Sequence, residues 1–206
     1  RDRIRELGFT TWFHPSVSVQ RKDPESFEHL RAFSNRPENQ VILPGDLIHD
    51  ASTIPGVYSI QVHKENWIAW NQVGLDFDDF EIKFEVALVE GDRYNDAGLL
   101  FRFQDRDNYY ELDLNGEGSF TVGKQIDGEW HQILDWTNSP AIQPFGSVNR
   151  VRLIAEGNQF EVIINGQSVA RFADDTYANG SVAPVVGVSR RAKKTTARPT
   201  CRAVIR

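Results

Sequence analysis

Apolar and polar residues alternate with a period of two along most of the chain after Val41. The clearest run is FEIKFEVAL, where Phe80, Ile82, Phe84, Val86 and Leu88 alternate with Glu81, Lys83, Glu85 and Ala87. Such alternation predicts a strand with one face buried and the other turned to solvent. GLLFRFQ repeats the pattern, with Leu99, Phe101 and Phe103 on one side and Leu100, Arg102 and Gln104 on the other. NYYELDL, GSFTVGKQI, WHQILDW, VNRVRLIAEG, QFEVIING, QSVARF, VAPVVGVS and TCRAVI follow. The stretches DRDN, LNGEG, IDGE, EGNQ, INGQ and ANGS separate them as turns, because Gly, Asn and Asp accept the backbone angles that turns require. Short strands at this spacing, with almost no helix between them, predict an all-β, antiparallel sandwich or barrel over residues 41–206.

The start of the chain differs. DPESFEHLRAF, Asp23 to Phe33, predicts a short helix. Asp23 is its N-cap and Pro24 its first helical residue, with acids early, Arg31 late and a buried stripe of Phe27, Leu30 and Phe33. Residues 1–40 are therefore expected to form an N-terminal extension with one short helix, wrapped on the main body or ending an earlier domain. The other end is basic: Arg190, Arg191, Lys193, Lys194, Arg198, Arg202 and Arg206 occur without one acid. That pattern fits a solvated loop before a last strand, or a patch for an anionic partner.

Composition narrows the function classes. With 206 residues, 40% hydrophobic and 25% charged, the chain can hold one large β domain plus an extension. A formal net charge of −6 argues against a nucleic-acid partner, which needs a basic surface. No run approaches the roughly 20 apolar residues of a membrane helix, so no membrane insertion is expected. No secretory signal pattern opens the chain. It contains no Met, so Arg1 is not an encoded start and the chain is expected to be a processed piece. A single Cys, Cys201, excludes an internal disulfide.

The stretch YYELDLNGE concentrates candidate chemistry. Tyr110, Leu112 and Leu114 have core character, so Tyr109, Glu111 and Asp113 are expected on the opposite, polar face. Pairing core to core with the preceding strand sets Phe103 opposite Tyr110, Phe101 opposite Leu112 and Leu99 opposite Leu114. The polar face then sets Gln104 across from Tyr109, Arg102 across from Glu111 and Leu100 across from Asp113, with a four-residue hairpin loop. An arginine beside Glu111 would lower its pKa, which suits a resting anion or nucleophile and spoils a general acid. Glu117 falls in the Asn115-Gly116 turn, off the sheet.

The succession from Asp96 through Trp130 to the Asn165-Gly166 hairpin resembles the concanavalin A-like lectin/glucanase superfamily. Its laminin-G-like jelly rolls and its 3-keto-disaccharide-hydrolase type are the nearest in pattern. Gly98 and Arg102 around an apolar strand, the Asp107-Asn108-Tyr109-Tyr110 turn, Trp130, Asn149 and Asn165-Gly166 carry the likeness, over about Ile54 to Val188. The resemblance implies a two-sheet jelly-roll sandwich; CRAVIR stands where such domains often end in a Phe-Asp-Asn strand. Function stays open, since the fold carries lectins, adhesion modules, hydrolases and lyases. Laminarinase-type relatives carry Glu-x-Asp-x-Glu; here Glu111 and Asp113 are present but the third acid is displaced to Glu117.

Two readings follow. The first is a non-catalytic recognition module, extracellular or periplasmic, that binds a glycan or a protein partner through Lys83, Arg102, Gln104, Tyr109, Glu111 and Asp113. Trp67, Trp70, Trp130 and Trp136 are candidate sugar platforms or core residues. The second is a glycoside hydrolase or related glycan-cleaving enzyme using Glu111 and Asp113, with His63 as a further candidate. Gln61-Val62-His63 resembles one alginate-lyase motif, without that family's companion strands. The resemblance also raises a Ca2+ site at Asp105, Asp107 and Asn108, or at Asp174 and Asp175 near Asn179. The alternative is that these Asp and Asn residues only shape turns. The His residues show no close metal-ligand spacing.

Overall fold

The computed structural model describes residues 49–54, 57–62, 68–70, 76–189 and 201–205. The expected N-terminal extension with its helix at Asp23–Phe33, together with His63, Trp67 and most of the basic segment, lies outside these residues. In chain order the strands are β1 (His49–Ile54), β2 (Val57–Val62), β3 (Ile68–Trp70), β4 (Phe80–Gly91), β5 (Asp96–Asp105), β6 (Asn108–Asn115) and β7 (Ser119–Ile126). They continue as β8 (Glu129–Asn138), β9 (Asn149–Glu156), β10 (Gln159–Ile164), β11 (Gln167–Ala173), β12 (Ser181–Gly187) and β13 (Cys201–Ile205).

Period-two alternation sends alternate side chains to opposite faces, and two such faces bury each other. A seven-stranded sheet runs β1-β2-β13-β4-β9-β10-β11, and a six-stranded sheet runs β3-β12-β5-β6-β7-β8. Every named strand pair is antiparallel. Ile82, Phe84, Val151, Leu153, Val162 and Ile164 of the first sheet meet Leu99, Phe101, Tyr110, Leu112, Leu114 and Val122 of the second in one core. Each large apolar side chain fully buried there contributes about 1.5–3 kcal/mol.

The aromatic part of that core is layered. Tyr110 stacks on Phe101 with ring centroids 5.1 Å apart, and Phe160 packs at a tilt against both. CRAVI does close a sheet: β13 enters between β2 and β4, burying Cys201, Ala203 and Ile205. The Asn165-Gly166 turn has φ of 50° and 84°, the left-handed pair that a two-residue hairpin needs.

The β5–β6 register differs from the expected one. Phe101, not Phe103, is opposite Tyr110; Leu99 is opposite Leu112 and Leu100 opposite Glu111. Pairing resumes at Asp105 opposite Asn108, so the loop is Arg106-Asp107 and a bulge absorbs the difference around Arg102. Arg102 has φ of 46° there, a conformation rare for a residue with a side chain. A bulge re-aims side chains. Here it turns the Arg102 guanidinium away from Glu111, while Phe103 joins Tyr109 in a separate apolar cluster.

Candidate functional site

Ala97, Leu99 and Phe101 point into the core, so Asp96, Gly98 and Leu100 take the outer face of β5 by alternation. On β6 the same rule puts Tyr109, Glu111 and Asp113 outside. The register sets Gly98 against Asp113 and Leu100 against Glu111. On the other side, β7 sets Gln125 against Tyr109, Gly123 against Glu111 and Thr121 against Asp113. Three carboxyl groups therefore converge on one sheet face, two from β6 and one from the start of β5.

An apolar wall flanks them. Leu100, Phe103, Tyr109, Ala183 and Val185 cluster there, with Ile68 and Trp70 packed against them. Tyr109 stacks on Phe103 at 5.8 Å with an 18° interplanar angle, and Trp70 is tilted against Phe103 at 6.1 Å. Glu111 and Asp113 are only 5% and 6% exposed. Burial removes water from an ionised carboxyl and favours its neutral form.

The electrostatics follow. Burial, and then the neighbouring Asp96 charge, push Glu111 up to about 8, although its hydrogen bond with Asp113 pulls the other way. Asp113 is raised well above the usual carboxylate range by burial and then by Glu111. Asp96 is raised by burial and then by Asp113. With both carboxyls raised, the pair holds at least one proton at neutral pH. The pair titrates as a unit. Asp113 Oδ1 is buried without a hydrogen-bond partner, which leaves an acceptor inside the cluster. Burial also raises the Tyr109 hydroxyl, followed by Glu111 and Asp113, so it stays a neutral donor.

Not every expected site residue joins this face. Lys83 lies on β4 in the other sheet, paired with Glu81 at 2.5 Å. Arg102 is 1% exposed and acts as a staple between loops. It donates to the carbonyls of Tyr177 at 2.7 Å, Gly157 at 2.6 Å and Asp78 at 3.1 Å, and its guanidinium lies 4.8 Å from the centre of the Phe160 ring. The expected Arg102–Glu111 neighbourhood and a lowered Glu111 pKa are thus both replaced by their opposites. Gln104 is exposed and donates to the carbonyls of Arg102 and Asn179. Glu117 sits in the turn as expected, held by Arg93 at 2.5 Å.

Several residues raised as calcium ligands shape turns. Asp105 Oδ1 accepts from the Asp107 N–H at 2.8 Å and the Asn108 amide at 3.0 Å, while Asn108 Oδ1 accepts from the Asp127 N–H at 3.0 Å and the Tyr177 hydroxyl at 3.1 Å. Asp174 accepts from Lys124 at 2.6 Å, the Tyr110 hydroxyl at 2.5 Å and the Thr176 N–H at 3.0 Å. These contacts give Asp105, Asn108 and Asp174 a turn-shaping role.

Asp96, Thr121, Gly123 and Gln132 are site residues that the sequence pattern did not single out. Asp96 lies two residues before Gly98, so extending the alternation by one step would have reached it. Its carboxylate fills the space beside Gly187, where a Cβ would stand 2.0 Å from Oδ1. On β8, Trp130 and Trp136 are 44% and 42% exposed. The Trp130 ring occupies the place of a Gly123 side chain, 2.0 Å from where its Cβ would be.

Solved structures share this architecture. The carbohydrate binding module CBM66 from Bacillus subtilis superposes with a TM-score of 0.57 at 16% identity, covering 71% of this chain and 83% of that one. LamAcat from Zobellia galactanivorans gives 0.54 at 10% identity, covering 75% and 77%. A protein of unknown function with a galectin-like fold from Bacillus subtilis gives 0.54 at 14%, covering 77% and 83%. At these identities the likeness shows the fold. No curated protein sequence matches significantly. The family match is more direct, spanning residues 56–197 and so the strands that carry Asp96, Glu111, Asp113 and Trp130: the chain belongs to the 3-keto-alpha-glucoside-1,2-lyase-like domain family.

Proposed function

We propose that the protein cleaves a 3-keto-glucoside by proton transfer on the outer face of the six-stranded sheet. The observation that carries this reading is the burial of two acids on one face of β6, Glu111 and Asp113 at 5% and 6% exposure, with Asp96 at the start of the neighbouring β5. A surface lectin gains nothing from burying two acids at a cost in stability. A proton-transfer site does, because a carboxyl with a pKa near the working pH can both accept and give a proton. The family match supports the substrate class.

The chemistry balances around one proton. A ketone at C3 of a glucoside acidifies the hydrogen on C2. In the form of the pair that has lost its first proton, the ionised carboxyl takes the C2 proton, the C–H electrons form a C1=C2 double bond, and the C1–O glycosidic bond breaks. The departing oxygen takes the proton that the other carboxyl held. The pair ends with one proton, as it began. Tyr109 donates a hydrogen bond to the developing charge, and the wall of Phe103, Trp70 and Leu100 keeps water from the cluster.

The test is turnover of a 3-keto derivative of methyl α-glucoside, followed by methanol release. General acid–base groups contribute about 10²–10⁴-fold; Glu111→Gln and Asp113→Asn are each expected to lose at least about a hundredfold. Unchanged rates would sink the proposal.

The exposed Trp130 and Trp136 favour a second reading, a recognition module that holds a glycan without cleaving it. It predicts saturable glycan binding with no methanol release.

A further inference from the structure

Among the described residues, Trp130 and Trp136 are the large hydrophobic side chains left exposed. Trp130 is also fixed in place. Its Nε1–H donates to Gln132 Oε1 at 3.2 Å. Gln132 is itself held, because its amide donates to Thr121 Oγ1 at 2.7 Å and to the Leu134 carbonyl at 2.6 Å. The six-membered ring of the indole fills the notch over Gly123, where any other residue would collide with it. A tryptophan that merely protects a sheet edge needs neither a polar clamp nor a glycine notch.

The notch is placed by register. Gly123 pairs with Gln132 on one side and with Glu111 on the other. Adjacent strands lie about 4.8 Å apart, so the ring sits one strand spacing from the backbone of Glu111. One side of the indole is taken up by β7, and the exposed remainder opens at the margin of the carboxyl cluster.

We propose that Trp130 is a stacking platform for a pyranose ring, held by the Gly123 notch and the Gln132 clamp next to Glu111. The ligand class is a pyranoside with an uninterrupted C–H face, since such a face packs on an aromatic ring while its hydroxyls point sideways to polar groups. Gln132, Thr121 and Gln125 are the polar side chains on that side of the face. The inference rests on the carbohydrate reading above and deepens it. Trp130 contributes binding and orientation, and takes no part in proton transfer.

The experiment titrates the wild-type protein and the variants Trp130→Phe, Trp130→Ala and Gly123→Ala with maltose, using sorbitol as an acyclic control. Binding is read by NMR, with the Trp130 Nε1–H resonance assigned by its loss in Trp130→Phe. Maltose is expected to shift that resonance saturably and sorbitol to leave it unmoved. Trp130→Phe keeps affinity within about threefold, whereas Trp130→Ala and Gly123→Ala each lose about tenfold. Gly123→Ala is informative because the tryptophan is still present but displaced, and Trp130→Phe guards against a variant that fails to fold. Maltose binding with an unmoved Trp130 resonance and an unaffected Trp130→Ala overturns the platform and leaves the cleavage proposal standing. Absence of maltose binding also overturns the platform; turnover of the 3-keto glucoside then judges the cleavage proposal separately.

Discussion

Leu100, and not Arg102, stands across the β5–β6 ladder from Glu111. The bulge around Arg102 separates a cation and an anion that simple alternation would have paired. Arg102 instead gives its guanidinium hydrogens to three loop carbonyls. Hydrogen bonds from a charged donor contribute about 1.5–3 kcal/mol each but are not additive, so Arg102→Met is expected to lower unfolding free energy by about 2–4 kcal/mol. The Glu111 titration should not move. Denaturant unfolding checks the first statement, and a loss under about 0.5 kcal/mol would contradict it.

Glu111 makes stability depend on pH in an unusual direction. Its folded pKa of about 8 exceeds the usual value, 4.5. Between those limits the folded chain binds more protons than the unfolded one, so stability falls as pH rises through the window. The slope for one such group approaches about 1.4 kcal/mol per pH unit. Glu111→Gln removes this ionisation and should lower the slope between pH 5 and pH 8 by about that amount, with Asp113 and Asp96 still contributing in the same direction. Thermal or urea melts across that range measure it.

Asp174 behaves in the opposite sense. Burial alone would raise it, but the Lys124 ammonium, with Thr176 and Tyr110, holds its carboxyl well below the usual range. A depressed carboxylate stabilises the fold above its unfolded pKa and loses that contribution as pH falls. Lys124 and Asp174 are 18% and 14% exposed, so Lys124→Met leaves a largely buried charge without its cation. An expected cost of about 2–4 kcal/mol at pH 7 should shrink as the pH is lowered through 4.

Gly98 is constrained by backbone and not by turn geometry. A Cβ there would lie 1.8 Å from the Leu112 carbonyl oxygen, which no rotamer can relieve. Gly98→Ala should therefore pry β5 from β6 at a cost of about 3 kcal/mol, visible as a lower melting temperature and faster amide exchange at Leu112 and Leu114. Full retention of stability would show that the strands meet in another register.

The strands were legible because burial on one face writes alternation directly into the sequence, as in Phe80–Leu88 and in Tyr109–Leu114. The Asn165-Gly166 and Asn115-Gly116 turns were legible through backbone chemistry. The β5–β6 register was not. Sliding β5 by two residues keeps apolar opposite apolar, and only local features discriminate: the positive φ at Arg102 and the close approach at Gly98. Neither is visible in a pattern of hydrophobicity. The error had a chemical consequence, since it gave Glu111 a cation where it has Leu100 and Asp96. Burial of the outer face was likewise hidden, because Tyr109, Glu111 and Asp113 have the polarity of a solvated strand. The pairing of Trp130 with Gly123 depends on a ring filling the space of an absent side chain, and it emerges only in three dimensions.

The central claim is that the Glu111–Asp113 pair stays protonated at neutral pH, far above the usual carboxylate range. Carboxyl carbon NMR of selectively labelled protein, followed from pH 3 to pH 10 with Glu111→Gln and Asp113→Asn for assignment, tests it most directly. The account predicts that Glu111 gives up its proton with an apparent midpoint near 8 and that Asp113 also stays protonated well above the usual carboxylate range. Two carboxyls that both ionise near pH 4 would contradict it.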